Sequence, residues 1–148
     1  MPAQIDIAIG PVVIRPPLAL APMTGLTHAG FRRAIRALGG CGLVFTEMIN
    51  AAAFTPRALR AHRMLDFQPD EHPIAVQVSG HDPQRMAWAA MVAQERGVDI
   101  VDINAGCPVR QVTGNGAGAA LLRDLGRLEA ILRAVRQAVT IPVTLKFR

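Results

Sequence analysis

Short apolar segments alternate along this chain with longer stretches in which apolar residues recur every three or four positions. The short segments predict five core strands, at Leu18–Met23, Leu43–Met48, Ile74–Val78, Val98–Ile103 and Val143–Phe147. Ahead of them, Ile5–Ile9 and Val12–Ile14 flank Gly10-Pro11 and predict a short hairpin. The alternation of strands and helices is typical of a parallel sheet with right-handed crossovers.

The stretches between the strands contain recognisable helix starts. Thr27 is expected to cap the first helix. Its packed face is predicted to hold four apolar side chains, Phe31, Ala34, Ile35 and Leu38, and its outer face three arginines, Arg32, Arg33 and Arg36. The remaining helices are predicted over Arg57–Leu65, from Asp82-Pro83 to Gly97, over Ala119–Leu122 and from Asp124 onward.

Polar residues stand at or near the carboxyl ends of these strands. They are Met23-Thr24, Glu47, Gln77, Asn104–Cys107 and Lys146. Convergence of polar groups at that end of parallel strands is typical of the active site of a (β/α)8 barrel, which takes roughly 250 residues. The 148 residues of this chain supply only about five strands. The pattern therefore predicts either an open α/β sheet or a portion of such a barrel.

Composition narrows the class of protein. The chain is 51% hydrophobic, yet no apolar run is long enough to span a bilayer and no signal peptide is evident, so no membrane association is predicted. Two cysteines make no disulfide framework, which favours a reducing, cytoplasmic setting. The net charge of +5 favours a polyanionic partner, although arginines spread along the chain equally suit solvated helix faces.

Two residues are the sharpest candidates for chemistry. Cys107 follows the fourth core strand and is fixed by Pro108, so its thiol is either a proton donor or nucleophile, or a small buried hydrophobic group. Lys146 is the single lysine among 16 basic residues and lies inside an apolar strand. Its ammonium suits a ring nitrogen, a carbonyl or a phosphate, and the alternative is a charged group that extends to solvent.

The other polar candidates are more ambiguous. Gln77 and Asn104 either contact a ligand or are satisfied inside the core. Glu47 is a general base, a hydrogen-bond acceptor or, as we expect, an ion-pair partner of Lys146 or Arg148 at the strand ends. We expect one of Asp99 and Asp102 either to lie at a strand end or to hydrogen-bond the side chains that form the site.

The four histidines show no ligand spacing, so no metal site is predicted. The glycines of residues 114–118 predict a mobile loop beside the cysteine.

With these residues placed, the chain resembles the tRNA-dihydrouridine synthases of the bacterial, flavin-dependent type. Six segments carry the resemblance in family order and spacing, over nearly the whole chain. They are Ala21–Thr27, Thr46–Met48, Val76–Gly80, Asp102–Pro108, Gly116–Leu122 and Val143–Arg148. The resemblance implies that residues 1–148 are the N-terminal part of an FMN-binding TIM-barrel catalytic domain, with later strands and a helical tRNA-binding domain absent.

The resemblance also implies an activity and a set of site residues. The family reduces uridine to 5,6-dihydrouridine in tRNA, with FMN as cofactor and NADPH as reductant, and Cys107 would be the general acid. Residues implied to contact the flavin are Pro22, Met23, Thr24, Gln77, Asn104 and Lys146. Flavin retention by this portion of a barrel is expected to be weak, and no particular oligomeric state is predicted.

Two other interpretations remain open. The first is another FMN-barrel pyrimidine oxidoreductase, of the dihydroorotate or dihydropyrimidine type, against which the order Asn104-Ala105-Gly106-Cys107-Pro108 argues. The second is an inactive truncated fragment, or one that binds RNA through its arginines without catalysis.

Overall fold

The computed structural model describes residues 6–55 and 59–148. The strands are β1 (Ile7–Ile9), β2 (Val12–Ile14), β3 (Ala19–Leu20), β4 (Leu43–Phe45), β5 (Ile49–Asn50), β6 (Ile74–Ser79), β7 (Ile100–Ala105) and β8 (Val143–Phe147). The α-helices are α1 (Ala29–Leu38), α2 (Leu59–Met64), α3 (Pro83–Glu95), α4 (Arg110–Thr113) and α5 (Leu125–Ala138). Short 3-10 helices lie at Ala51–Ala53, Pro69–Glu71 and Gly118–Arg123.

The main sheet is parallel, and its strands lie side by side in the order β3-β4-β6-β7-β8, with β5 also paired to β6. Each crossover therefore moves one place in the same direction, as in a (β/α)8 barrel. The antiparallel pair β1–β2 forms a separate hairpin. The prediction of an α/β fold with about five core parallel strands from the N-terminal portion of a TIM barrel is confirmed.

Strands β6 and β7 form the centre of the core, because every residue in both is buried. Helix α3 covers them with a stripe of small and apolar side chains, Met86, Ala89, Ala90 and Ala93. Its start is as predicted, since Asp82 Oδ1 accepts a hydrogen bond of 2.8 Å from the backbone N–H of Arg85 and Pro83 is the first helical residue. Small residues on α3 permit close packing against α5.

Helix α1 departs from its prediction in two ways. Its cap is His28, whose Nδ1 accepts from the backbone N–H of Phe31, and not Thr27, which is buried with its hydroxyl bonded to the backbone of Met23. Its predicted faces are right only in part, since Phe31 and Ile35 are half-buried and Arg33 is exposed. Arg32, however, is 1% exposed, and Leu38 is 84% exposed.

A buried ion pair explains the inward position of Arg32 on α1. Arg32 Nε lies 2.6 Å from Glu71 Oε2, and the same guanidinium donates to the carbonyls of Thr27 and Asp66. Arg36 likewise donates inward, to the carbonyls of Cys41, Glu71 and Pro73. Arginine on this helix therefore connects elements of the fold, and hydrophobic periodicity alone does not reveal its distant partners.

Several boundaries also differ from the sequence-based prediction. The predicted strand Leu43–Met48 shortens to Leu43–Phe45, and a two-residue strand that was not predicted, β5, follows it at Ile49–Asn50. The first core strand shortens to Ala19–Leu20. Helix α4 was not predicted, because it is four residues long and Val109 offers no side-chain cap. Ile5 and the start of the helix predicted over Arg57–Leu65 lie outside the described residues. None of the described helices is long and apolar enough to cross a membrane.

Candidate active site

A pocket of about 210 Å³ opens at the carboxyl ends of the parallel strands. We call it the strand-end pocket. Six of the seven predicted site residues line it, namely Pro22, Thr24, Gln77, Asn104, Cys107 and Lys146. Met48, Gly106, Pro108 and Arg148 complete its walls. The fold thus brings together side chains that are separated by more than 100 positions in the sequence.

The register of three strands positions the polar groups behind this pocket. Gln77 on β6 lies opposite Asp102 on β7, which in turn lies opposite Thr144 on β8. Two residues further along, Asn104 lies opposite Lys146. Since residues i and i+2 of a strand share a face, both rows point to the same side of the sheet.

These side chains form a continuous chain of hydrogen bonds, which we call the polar relay: Thr144, Asp102, Gln77 and Asn104. Thr144 Oγ1 donates to Asp102 Oδ1 at 2.6 Å, and Gln77 Nε2 donates to Asp102 Oδ2 at 2.6 Å. Asn104 Nδ2 then donates to Gln77 Oε1 at 2.8 Å. Gln77 and Asn104 therefore have structural hydrogen bonds in addition to their position on the pocket.

The carboxylate of Asp102 gives the polar relay its direction. An ionised carboxylate only accepts hydrogen bonds, so it orients the amide N–H of Gln77 toward itself and leaves Oε1 to accept from Asn104. Burial raises the pKa of the Asp102 carboxyl, and the hydrogen bonds from Thr144 and Gln77 together with the charge of Lys146 counteract that rise. The described contacts thus hold a buried acceptor at the base of the site.

The relay ends on the backbone of Cys107. Asn104 Oδ1 accepts from the backbone N–H groups of Gly106 at 3.2 Å and of Cys107 at 3.0 Å. On its other side, the carbonyl of Cys107 accepts from the N–H of Ala119 at 3.0 Å. Because both its backbone groups are bonded, Cys107 is held firmly while its half-buried thiol faces the pocket region.

Gly118 permits this second anchor. Its φ is +58°, and a Cβ at that position would lie 2.6 Å from the carbonyl oxygen of Cys107 and 2.8 Å from Cγ1 of Val112. Only glycine adopts this conformation and this approach without displacing its neighbours. Gly118 therefore serves close packing around Cys107.

The cations of the pocket lie on and after β8. Lys146 is exposed and pairs in register with Asn104, and Arg148 follows two residues later. The expected ion pair between Glu47 and either cation is wrong for the described residues. Glu47 Oε2 instead accepts from the backbone N–H of Gly25, which connects the loops that follow β3 and β4.

The remaining candidates lie elsewhere. Met23 forms a turn, in which its carbonyl accepts from the N–H groups of Leu26 and Thr27, and it is not among the residues that line the strand-end pocket. Asp99 contacts His72 at 2.7 Å and accepts from the N–H of Ile74 at 2.6 Å, near the start of β6. Asp102 is therefore the aspartate that supports the site.

Sequence reasoning missed Thr144 as a member of the relay and Met48 as a pocket residue. Thr144 stands two residues before Lys146 on β8, so the period of a strand places both on one face. Its neighbour Asp102 lies on another strand, and only the register reveals that contact.

Comparison with known proteins agrees with this geometry. A family model described as dihydrouridine synthase matches residues 19–148. The tRNA-dihydrouridine synthase B of Xanthomonas axonopodis pv. citri is 44% identical over 141 residues, which are 95% of this chain and 42% of that protein. The tRNA-dihydrouridine synthase B of Pseudomonas aeruginosa is 41% identical over 142 residues, which are 96% of this chain and 42% of that protein.

A third relative, the tRNA-dihydrouridine(20/20a) synthase of Synechocystis sp., is 39% identical over 132 residues, which are 89% of this chain and 39% of that protein. This chain thus spans about two fifths of the length of these relatives. Among solved structures, histamine dehydrogenase from Rhizobium sp. 4-9 superposes with a TM-score of 0.63 at 15% identity, over 97% of this chain and 32% of that one. That likeness supports the fold alone.

Proposed function

This chain belongs to the dihydrouridine synthase family, and from that premise we propose that it carries the flavin- and uracil-binding centre of a tRNA-dihydrouridine synthase. Residues 1–148 would form the N-terminal part of the FMN-binding catalytic barrel, and the reaction is the reduction of uridine to 5,6-dihydrouridine in tRNA. The observation that carries the proposal is Cys107, held on both sides of its backbone at the pocket that Lys146 and Asn104 also line.

The donor groups of the strand-end pocket fit a flavin ring. Lys146 and Arg148 place two cations beside electron-rich ring atoms, and lysine suits a single carbonyl or nitrogen. Gln77 and Asn104 each spend one amide N–H within the relay, and the second N–H of each has no acceptor among the described residues. Pro22 and Thr24 also line this pocket, and we assign the adjoining Met23 to the same flavin-binding segment.

The proposed reaction adds one hydride and one proton across the C5–C6 double bond of uracil. FMN, when bound, would supply the hydride for C6, and NADPH is its proposed reductant. The thiol of Cys107 donates its proton to C5, which becomes saturated as the C5–C6 π bond is lost. Lys146 and Arg148 attract the resulting thiolate, and solvent returns the proton because Cys107 is only half-buried.

A firmly held thiol suits this role. General acid catalysis requires the acid to lie within hydrogen-bond reach of its target, and the bonds of Cys107 with Asn104 and Ala119 keep its backbone from drifting. The target base has to leave the RNA stack before it reaches such a pocket. The net charge of +5 favours the association with tRNA, and the cytoplasm is the proposed location.

A reconstitution assay tests the proposal. The chain is mixed with excess FMN, NADPH and unmodified tRNA, and dihydrouridine is measured by mass spectrometry of the digested tRNA. Cys107→Ala should lower the rate of dihydrouridine formation by about 100-fold or more, the usual contribution of a general acid, while NADPH still bleaches the flavin absorbance. Cys41→Ala is the matched control, because Cys41 Sγ donates to the carbonyl of Leu43 and does not line the strand-end pocket.

Three results would count against this function. They are an absence of flavin binding even at excess FMN, an unchanged rate of dihydrouridine formation in Cys107→Ala, and efficient turnover of free dihydroorotate or free pyrimidines in place of tRNA. The last result would favour the small-molecule pyrimidine oxidoreductase.

A further inference from the structure

A second and larger cavity, of about 390 Å³, lies next to the strand-end pocket. We call it the side cavity and define it by its polar lining residues, Asn50, Ser79, His81, Asp82, Arg85, Gln111 and Asn115. Met48 lines both cavities, so the two adjoin. None of the seven polar residues takes part in the reaction proposed above, and the side cavity therefore has no assigned role.

Ser79 offers the side cavity a hydrogen-bonding group. It is the last residue of β6 and is 3% exposed as a whole, and its hydroxyl has no hydrogen-bond partner among the described residues. That oxygen is not among the solvent-shielded, unpaired polar atoms of the described residues, so it is accessible from the cavity that Ser79 lines. A hydroxyl that lines a cavity and lacks a protein partner is suited to a polar atom of a ligand.

The rest of the lining indicates the chemistry of that ligand. Asn50, Gln111 and Asn115 present amide groups, which recognise the edges of nucleobases through paired donors and acceptors. Asn50 and Asn115 use one polar atom each for a backbone contact, and Gln111 has no side-chain hydrogen bond among the described residues. Arg85 adds a guanidinium, a group that binds phosphate.

The walls of the side cavity connect it to the cysteine. Gln111 and Asn115 belong to the segment that follows Cys107. That segment lies against His81, because a Cβ built on Gly116 would be 3.8 Å from Cβ of His81. An occupant of the side cavity would therefore contact the same stretch of chain that holds the proposed general acid.

We propose that the side cavity binds one nucleotide of the RNA substrate that neighbours the uridine in the strand-end pocket. Its base would meet the amide groups and the hydroxyl of Ser79, and its phosphate would meet Arg85. The inference rests on the proposed function, since that function places RNA at the adjoining pocket. A target base that leaves the stack brings its neighbours to the rim of its pocket, and Met48 lies at the boundary of the two cavities.

The test measures binding without turnover. Ala52 and Ala53 are both exposed residues of the 3-10 helix Ala51–Ala53, but only Ala52 lines the side cavity. Ala52→Trp fills that space, and Ala53→Trp is the matched control. The two probes are uridine monophosphate and a single-stranded trinucleotide with a central uridine. The dissociation constant, Kd, of each probe is measured by calorimetry.

Ala52→Trp should raise the Kd of the trinucleotide by about tenfold, the contribution of one well-bound base, and leave the Kd of uridine monophosphate unchanged. Ser79→Ala should raise the trinucleotide Kd by about threefold to tenfold through loss of one hydrogen bond. Ala53→Trp should change neither constant. The inference is overturned if both cavity variants bind the trinucleotide like the unmodified chain, or if that chain binds the trinucleotide no more tightly than uridine monophosphate.

This assay separates the inference from the proposed function. It requires neither flavin nor reduction of uracil. A failure of the reconstitution assay with intact effects of Ala52→Trp would reject the reaction and retain the nucleotide site. Dihydrouridine formation together with unaltered trinucleotide binding in the variants would retain the reaction and reject the site.

Discussion

Replacing Asn104 by aspartate tests whether the polar relay has a fixed direction. In the native relay the N–H of Asn104 donates to Gln77, and the N–H of Gln77 donates to the carboxylate of Asp102. Aspartate at position 104 is almost the same size as asparagine and still accepts from the backbone N–H of Cys107. It has no N–H to donate, however, so Gln77 would stand between two carboxylates that both require a donor.

The predicted loss in the free energy of unfolding of Asn104→Asp has two contributions. Loss of the hydrogen bond from Asn104 to Gln77 removes about 1 kcal/mol, and the unsatisfied oxygens inside the core cost a further 1–3 kcal/mol, each as a rough value. Both residues are buried, so solvent gives little compensation. The free energy of unfolding should fall by about 2–4 kcal/mol at pH 8.

The loss in the free energy of unfolding should be larger at high pH than at low pH. A second carboxyl in this buried network raises the folded-state pKa of the pair formed with Asp102 above the unfolded value, which for aspartate is about 3.9. Protonation thus favours the folded state, and a protonated carboxyl at position 104 again donates to Gln77. Its stabilisation is present below that unfolded value and is lost as the pH rises through the raised folded-state pKa, at up to about 1.4 kcal/mol per pH unit.

Urea denaturation of the variant and the native chain at pH 5 and pH 8 measures both effects. The matched control is Asn50→Asp, because Asn50 Oδ1 only accepts from the backbone N–H of Ala52 and a carboxylate can replace it. The reasoning is refuted if Asn104→Asp loses less than about 0.5 kcal/mol at pH 8, the ordinary range for a surface substitution. A loss that is equal at both pH values would refute the proposed proton coupling.

Two further predictions concern stability and use the same denaturation assay. Arg32→Met should cost about 3–5 kcal/mol because it leaves the carboxylate of Glu71 buried and unpaired, whereas Arg33→Met, at an exposed pair, should cost under about 1 kcal/mol. Gly118→Ala should cost about 1–3 kcal/mol, since its Cβ would lie 2.6 Å from the carbonyl oxygen of Cys107. Gly97→Ala also has positive φ but open space, so it should cost less; equal losses would contradict the contact argument.

The sequence predicts well those parts of the fold that are determined by residues close together in the chain. Strand β8 matches its predicted bounds, and α3 begins where the Asp82-Pro83 pair predicts, because a cap and a proline act within one helical turn. The burial of Arg32 on helix α1 was not predicted, because it depends on Glu71, which is 39 residues away in the sequence. No local pattern identifies such a partner, so hydrophobic periodicity was outweighed by a long-range ion pair.

The same division applies to the candidate site. Gln77, Asn104, Cys107 and Lys146 were found because a polar residue near the end of an apolar strand is conspicuous, and the structure brings all of them to one pocket. The bond between Asp102 and Thr144 was not found, because it requires the register of β7 on β8. The sequence could therefore identify the members of the site but not the order in which they bond.

That order makes the position of the cysteine dependent on the register of the sheet. A shift of one residue between β6 and β7 would move Gln77 away from Asp102 and turn the partner side chains to opposite faces. Without that bond nothing fixes the orientation of the Gln77 amide, so its oxygen would no longer be held toward the N–H of Asn104. Asn104 would then be free to rotate, and the backbone N–H of Cys107 would lose a correctly oriented acceptor. The buried polar residues therefore serve both the fold and the site. In a wrong register they would be buried without hydrogen bonds, which destabilises that register, and in the right register they position Cys107.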